Sequence, residues 1–331
     1  MHEGDQQKTE APGGRGPGPH TDTADPAATD ATDPATEAFI THRNLLFTVA
    51  YEMLASASDA EDVLQETWLR WAHIDQDTVR DPRALLVRIA TRQAMTRLRT
   101  LRRRKESYVG PWLPEPLLTS PDVAEDVELA DSVSMAMLLV LETLTPTERA
   151  VFVLRDVFDL SYDDIAQAVE KTPAAVRQIA HRARAHVAAR RPREAVTPAQ
   201  SREALAAFQQ AVETGDLQRL LDMIAPDVVL LTDGGGVVRA ALEPVVGAEP
   251  VLSVLSRLTS ATFQATFHPA QVNGHPALIL RTDAAENDAE NDSEIDSVLA
   301  LHLEAGLITG IYAVRNPEKL SRIDRETAVD R

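Results

Sequence analysis

The sequence predicts a multidomain chain: two all-α modules, the second with a helix-turn-helix, followed by an α+β domain. Three observations predict it. Apolar residues recur at helical spacing between residues 37 and 191, with no convincing strand. Pro111, Pro114, Pro116 and Pro121 interrupt that pattern, and no regular helix crosses such a run. Beyond residue 192, helix-period segments give way to β-branched runs joined by Asn273-Gly274 and Ala305-Gly306, which suit hairpin turns. The expected order is a leader (1–36), a first helical module (37–106), a Pro-rich linker (107–127), a second helical module (128–191), an α+β domain (192–315) and a tail (316–331).

Composition narrows the chemistry. The 331 residues carry a formal net charge of -18, too acidic for coating nucleic acid by bulk charge. The charge is uneven: residues 1–36 hold 7 acids and 2 bases, 37–193 hold 23 and 21, and 194–331 hold 21 and 10. Two arginine clusters, at 97–105 and 177–193, keep the middle near neutral, so an anionic partner belongs there. The leader has no aromatic residue and is rich in Pro, Gly, Thr and Asp, a composition that does not bury enough surface to offset ordering, so disorder is expected. The absence of cysteine excludes disulfides, thiolate metal sites and cysteine nucleophiles, and fits a reducing compartment. No apolar run approaches the roughly 18 residues of a membrane span, and the first 20 residues lack a signal-peptide core. A soluble cytoplasmic protein with no membrane partner is expected.

In the first module, Phe39, Leu46, Phe47, Ala50, Tyr51 and Leu54 define one apolar helix face. The next helix puts Ala60, Val63, Leu64, Thr67, Trp68 and Trp71 on one side and Asp59, Asp62 and Glu66 on the other. Asp81, a good N-cap, and Pro82 at the first helical position open a third. Its Leu86, Ile89, Ala90, Ala94, Leu98 and Leu101 form the packed face, while Arg88, Arg92, Arg99 and Arg103 make a separate stripe. Like charges at such spacing repel, so the stripe is expected to face a polyanion.

Tyr108, Trp112 and Leu113 lie within the linker, and aromatics there imply that it packs on something. In the second module Thr145, Pro146, Thr147 and Glu148 form a capping box ahead of Val151, Leu154, Val157 and Phe158. Ser161 opens a short helix, and Thr172-Pro173 opens another after a turn at Glu170 and Lys171. That last helix packs through Val176, Ile179, Ala180, Ala183 and Val187, and exposes Arg177, Gln178, His181, Arg182 and Arg184. Two short capped helices, the second carrying Arg and Gln outward, form a unit that reads base edges in a major groove.

These residues resemble the extracytoplasmic-function (ECF) sigma factors. DAEDVLQETW (59–68) is similar to the polymerase-binding helix of their region 2, and LETLTPTERAVF (141–152) with AVRQIAHRAR (175–184) to their region 4. YVGPWLPEP (108–116) resembles a signature of the SigJ-type subfamily, which carries a C-terminal SnoaL-like extension. The resemblance implies docking on core RNA polymerase through Asp59, Asp62, Gln65 and Glu66. It also implies engagement of the minus-10 promoter element by Arg88, Arg92, Arg99 and Arg103, and of the minus-35 element by the helix opened at Thr172. Thr96 stands where many members have Asp, and Glu170 where the turn usually has Gly.

In the acidic last third, helices are expected at 199–214, 217–224 and 245–258, and strands of an antiparallel sheet at 228–232, 237–240, 262–268, 277–281, 297–303 and 307–314. FQQAVETGD (208–216) and APDVVLLTDGGG (225–236) resemble the SnoaL-like, NTF2-like cone. Some such domains are cyclases or isomerases, with His268, His275 and Asp233 the candidate acid–base groups here, but no spacing forces them together. The acidic run at 283–296 reads as a loop insertion and does not match a calcium loop. No cofactor or metal is expected, and a small-molecule ligand of the cone is left open. NPEKL (316–320) resembles a subfamily tail motif, which implies an extension that restrains the sigma modules and is partly needed for their activity. Tyr108, Trp112 and Pro114 of the linker are expected to contact the Asp233, Gly234, Gly235, Gly236 loop or the tail residues Asn316, Pro317 and Lys319. The alternatives are a cyclase or isomerase with a DNA-binding appendage, or a plain helix-turn-helix regulator.

Overall fold

The computed structural model describes residues 33–124, 126–190, 196–257, 265–282 and 294–330. Nearly all of the leader, Arg191 to Arg193 of the second basic cluster, and most of the acidic run at 283–296 lie outside the described residues.

The first module is α1 (Pro34–Leu54), α2 (Ala57–Trp71) and α3 (Pro82–Glu106). α1 begins at Pro34, inside the stretch expected as leader, because the apolar face extends back to the buried Ala35, whose carbonyl accepts the Trp71 indole N–H at 2.7 Å. Asp81 caps α3 as expected, its carboxylate accepting from the Ala84 N–H at 2.9 Å. The second module is α4 (Val127–Val133), α5 (Met135–Glu142), α6 (Pro146–Phe152) with a π turn at Val153–Val157, α7 (Tyr162–Val169) and α8 (Pro173–Ala188). The two modules share one apolar core: Tyr51, Trp71, Leu86 and Leu98 of the first are continuous with Leu138, Val151, Leu154, Ile165 and Val176 of the second.

The last domain comprises α9 (Pro198–Thr214), α10 (Leu217–Met223), β1 (Ile224–Asp233), β2 (Val245–Val246), α11 (Ala248–Leu255), β3 (Ala265–Val272), β4 (His275–Thr282), β5 (Glu294–Glu304), β6 (Leu307–Val314) and α12 (Pro317–Leu320). Among the described residues its six strands lie in the order β2-β1-β6-β5-β4-β3. The sheet is mixed rather than antiparallel throughout, since β1 runs parallel to β6. The chain between those two is long enough for the crossover that a parallel pair needs. The strand expected at 237–240 is a loop, because Gly235 and Gly236 at φ 63° and 75° turn the chain and Gly234 accepts from the Val237 N–H at 3.0 Å. The helix expected at 245–258 is divided: Gly247 at φ 97° separates the short β2 from α11.

Both faces of this sheet are apolar. Leu278, Leu280, Leu299 and Ile311 meet α9, α10 and α11 through Phe208, Leu220 and Val251. Ala277, Ile279, Val298 and Val314 face the other way, onto Leu113 of the linker, Met135 of α5, and Leu320 and Ile323 of the tail. β4 is accordingly a continuous apolar run, as expected of a strand covered on both sides.

Candidate nucleic-acid interface and its restraint

The helix-turn-helix is built by local capping. Ser161 accepts from the Asp164 N–H at 3.1 Å to start α7, and Thr172 accepts from the Ala175 N–H at 3.2 Å to start α8, where Pro173 occupies the first turn. Glu170 ends α7 in the left-handed region, φ 56°, a conformation costing an L-residue about 1–2 kcal/mol. On α8, Val176, Ile179, Ala180, Ala183 and Val187 are buried while Arg177, Gln178, His181, Arg182 and Arg184 are exposed. Arg177, Gln178, His181 and Arg182 line one shallow depression. Arg177 lies 5.4 Å from the Tyr162 ring centre, with Arg155 at 5.0 Å from the same ring. Arg184 is held by Asp156 at 2.5 Å, and Arg182 is 3.9 Å from Glu148.

The arginine stripe of α3 is divided by tertiary contact. Arg88 donates to Gln167 Oε1 at 2.7 Å, and Arg92 to the Gln167 carbonyl at 2.9 Å; Arg92 also lies 3.4 Å from Glu170. The first half of the stripe therefore meets α7 and the turn of the second module, while Arg99 and Arg103 remain exposed. Thr96 is exposed beside them, its hydroxyl bonded to the Arg92 carbonyl. Arg97 turns toward α2.

That turn corrects the acidic stripe. Asp59 is not on the exposed face of α2: it is buried, with its carboxylate bonded to Arg97 at 2.6 Å and to Ser56, whose hydroxyl caps the helix. A first-turn position drew it inward, toward the cap and α3, so it does not present charge to a partner. Asp62 is half-exposed and touches Arg97. Gln65 and Glu66 are exposed, together with Leu69 at 61%.

The linker, the Gly loop and the tail meet. Tyr108 donates to Asp233 Oδ1 at 2.6 Å and accepts from Asn316 at 2.8 Å. The Leu113 N–H donates to Asp233 Oδ2 at 2.8 Å, and the Lys319 ammonium joins the same oxygen at 2.7 Å. The Trp112 ring meets two ammonium groups, Lys105 at 3.2 Å and Lys319 at 4.0 Å from its centre. Gly235 is required by proximity as well as by φ, since a Cβ there would stand 2.4 Å from the Asn316 side chain. Gly234 is tight against Val238, and Gly236 against Val109 of the linker. Pro114 is buried, and Pro317 starts α12. Burial lowers the Lys319 ammonium pKa, with Asp233 opposing, and raises the Tyr108 phenol.

Sequence reasoning missed a second set of contacts. Glu52 on the apolar face of α1 accepts from Ser132 at 2.7 Å, and burial pushes its carboxyl up to about 8. Arg149 is buried inside the motif 141–152, donating to the Glu52 carbonyl at 2.8 Å and pairing with Glu142 at 2.6 Å. Lys105 reaches the other oxygen of Glu142 at 2.6 Å, and burial lowers its ammonium to about 8. A charge inside an apolar run, as at Glu52 and Arg149, is the signal that could have found them.

The acid–base candidates do not converge. Asp233 ends β1, separated by β6 and β5 from β4, where His275 faces Asp131 and Ala130 of the second module. His268 on β3 is exposed and bonds Thr266 at 2.9 Å. Among the described residues no group of His, Asp or Glu could hold a metal ion, and no helix is long and apolar enough to cross a membrane. A cleft of about 550 Å³ lies between α9, α10 and the β5–β6 turn, with Gln200, Glu203 and Arg219 on its wall.

Two helical modules, the second a helix-turn-helix, held by a sheet domain, define a DNA-binding transcription protein with a fused third body. Residues 38–104 match the sigma-70 region 2 family and residues 134–187 the sigma-70 region 4 family. The chain is 31% identical over 287 residues to the ECF RNA polymerase sigma factor SigJ of Mycobacterium tuberculosis, covering 84% of this chain and 91% of that protein. It is 34% identical over 299 residues to the probable ECF RNA polymerase sigma factor SigI of the same species, covering 89% and 97%. The crystal structure of M. tuberculosis SigJ matches with a TM-score of 0.68 at 30% identity, over 87% of this chain and 98% of that one. The chain belongs to the ECF RNA polymerase sigma factors.

Proposed function

We propose that this protein binds core RNA polymerase, directs promoter-specific initiation, and is restrained by its own sheet domain. Polymerase docks on the exposed part of α2, formed by Asp62, Gln65, Glu66 and Leu69, without Asp59. Arg99 and Arg103, and on opening Arg88 and Arg92, engage the minus-10 element, while Arg177, Gln178, His181 and Arg182 read the minus-35 element. Phosphate contacts from α3 position the chain, and base-edge contacts from α8 specify the sequence. The sheet domain is read as a regulatory, non-catalytic body, since His268, His275 and Asp233 stand apart.

The observation that carries the restraint is the Arg88–Gln167 contact at 2.7 Å. Two elements about 25 base pairs apart are separated by roughly 85 Å of duplex, at 3.4 Å per base pair. A chain whose minus-10 stripe touches its own helix-turn-helix does not span that distance, so initiation requires the modules to part. Run-off transcription with purified core polymerase on promoter fragments tests the reading. Transcripts that depend on this protein support it, and their absence on every fragment, with no co-purification of core, overturns it.

A further inference from the structure

The β3–β4 hairpin was legible only as a turn, yet its tip sits in a socket formed by three parts of the sigma region. Asn273 is 1% exposed. Its amide nitrogen donates to the Tyr51 hydroxyl of α1 at 2.7 Å and to the Val133 carbonyl at the end of α4 at 2.8 Å. Its amide oxygen accepts from the Leu117 N–H of the linker at 3.0 Å, and its own N–H returns to the Leu117 carbonyl at 2.8 Å. One side chain thus joins the first module, the linker and the second module. Tyr51 completes the connection by donating to the Glu115 carbonyl at 2.7 Å.

The neighbouring residues fit the same socket. The Gly274 N–H donates to Thr119 Oγ1 at 3.0 Å, and a Cβ on Gly274 would lie 2.7 Å from the Ala130 backbone. The Thr119 N–H donates to the Gln271 carbonyl at 2.9 Å, and Leu118 bridges Val272, so the linker extends the edge of β3 as an added strand. Thr327 of the tail donates to the Leu118 carbonyl at 2.7 Å from the other side. Asn is suited to the tip twice: it tolerates the left-handed φ of 55°, and it supplies two donors and an acceptor where no water reaches.

We infer that the Asn273–Gly274 tip is the clasp that keeps the two DNA-binding modules closed, and that its withdrawal from the Tyr51–Leu117–Val133 socket is the opening step. The inference rests on the reading that the modules must part, and it assigns the closure to a site apart from the Asp233–Lys319 contact. Asn273→Asp keeps the size and the turn but replaces both amide donors with a carboxylate facing the Val133 carbonyl. An unsatisfied buried group of that kind is expelled.

The full chain has no cysteine, so Thr100→Cys on α3 and Ala188→Cys on α8, both exposed, carry a dye pair without background. The expected result is one high-transfer state in the parent and at least a tenfold rise in the low-transfer fraction with Asn273→Asp. Hydrogen exchange at Leu278, Leu280 and Leu299, which face the far side of the sheet, reports whether that domain stays folded. Thr119→Val, which leaves the sheet domain's sequence untouched, should raise the low-transfer fraction about threefold. Unchanged transfer in Thr119→Val, or in Asn273→Asp with the sheet protected, overturns the clasp. Opening in both without any polymerase-dependent transcript would overturn the sigma reading and leave the clasp standing.

Discussion

Two of the contacts around the sigma modules, at Asp233 and at Arg92, are built from opposite materials. At Asp233 the carboxylate is fully buried; the linker supplies it with a phenol and a backbone N–H, and the tail with an ammonium. At Arg92 the partner is Glu170, and both side chains are largely in water, at 48% and 75% exposure. The first contact breaks only by leaving charge without a partner in a low dielectric; the second exchanges protein for water at little cost. The comparison teaches that Arg92 is covered by proximity rather than by affinity, whereas the linker is fixed to the sheet domain by a buried charge that has nowhere else to find a partner.

The largest effect should follow from Asp233→Asn. Lys319 would keep a buried charge with no carboxylate in contact, a loss of about 3–5 kcal/mol for a broken buried pair. Denaturant unfolding with hydrogen exchange at 108–117 would show the linker losing protection first; a parental linker would mean that the pair is not what holds it.

Acidity offers the next test. Glu52, raised to about 8 in the closed form, keeps a proton that an open form with an ordinary carboxyl releases. Its contribution to closure is full below about pH 4.5 and is lost as pH rises through about 8, at roughly 1.4 kcal/mol per unit of that window. Arg149 and Ser132 face it from α6 and α4. Lys105, lowered to about 8, acts in the opposite sense and only above that pH; burial also lowers the His42, His275 and His302 imidazoles and raises the Glu115 carboxyl, so the share of Glu52 is read as the difference between the parent and Glu52→Gln. Stability measured between about pH 5 and 8 should fall more steeply with pH in the parent than in Glu52→Gln; parallel slopes would remove Glu52 from the account.

A smaller effect is expected on the exposed reading face. Arg177→Ala should reduce discrimination at one minus-35 base pair by about 1–3 kcal/mol, whereas Arg184→Ala, already held by Asp156, should lower affinity with little change in preference. Competition between duplexes differing at single base pairs separates the two.

The smallest effect completes the contrast. Glu170→Gly removes an exposed pair worth about 0–1 kcal/mol and relieves a left-handed backbone of similar cost, so stability should stay within about 1 kcal/mol of the parent. Thermal denaturation measures it, and a loss of several kcal/mol would show that the exposed contact, too, holds the modules.

Much of the site was legible because it is local. Capping at Asp81, Thr145, Ser161 and Thr172 and the faces of α8 depend on neighbours within one or two turns, and they appear where the spacing places them. Asp59 was misread because helical spacing says which side a residue occupies but not whether Arg97, 38 positions away, will reach it. Arg88 and Arg99 carry the same signal at the same spacing, yet one is covered by α7 and the other is not.

By itself, then, the sequence determined the order of modules, the helix-turn-helix and its exposed face, the linker's need for a partner and the family, since each rests on periodicity, capping or a contiguous motif. Only the tertiary structure decided that both faces of the sheet are buried, that β1 pairs in parallel with β6, and that Asn273 meets Tyr51 across 222 positions. The physical reason is that a buried polar group is specified by its partners, and those partners come from segments whose separation along the chain leaves no local pattern to read.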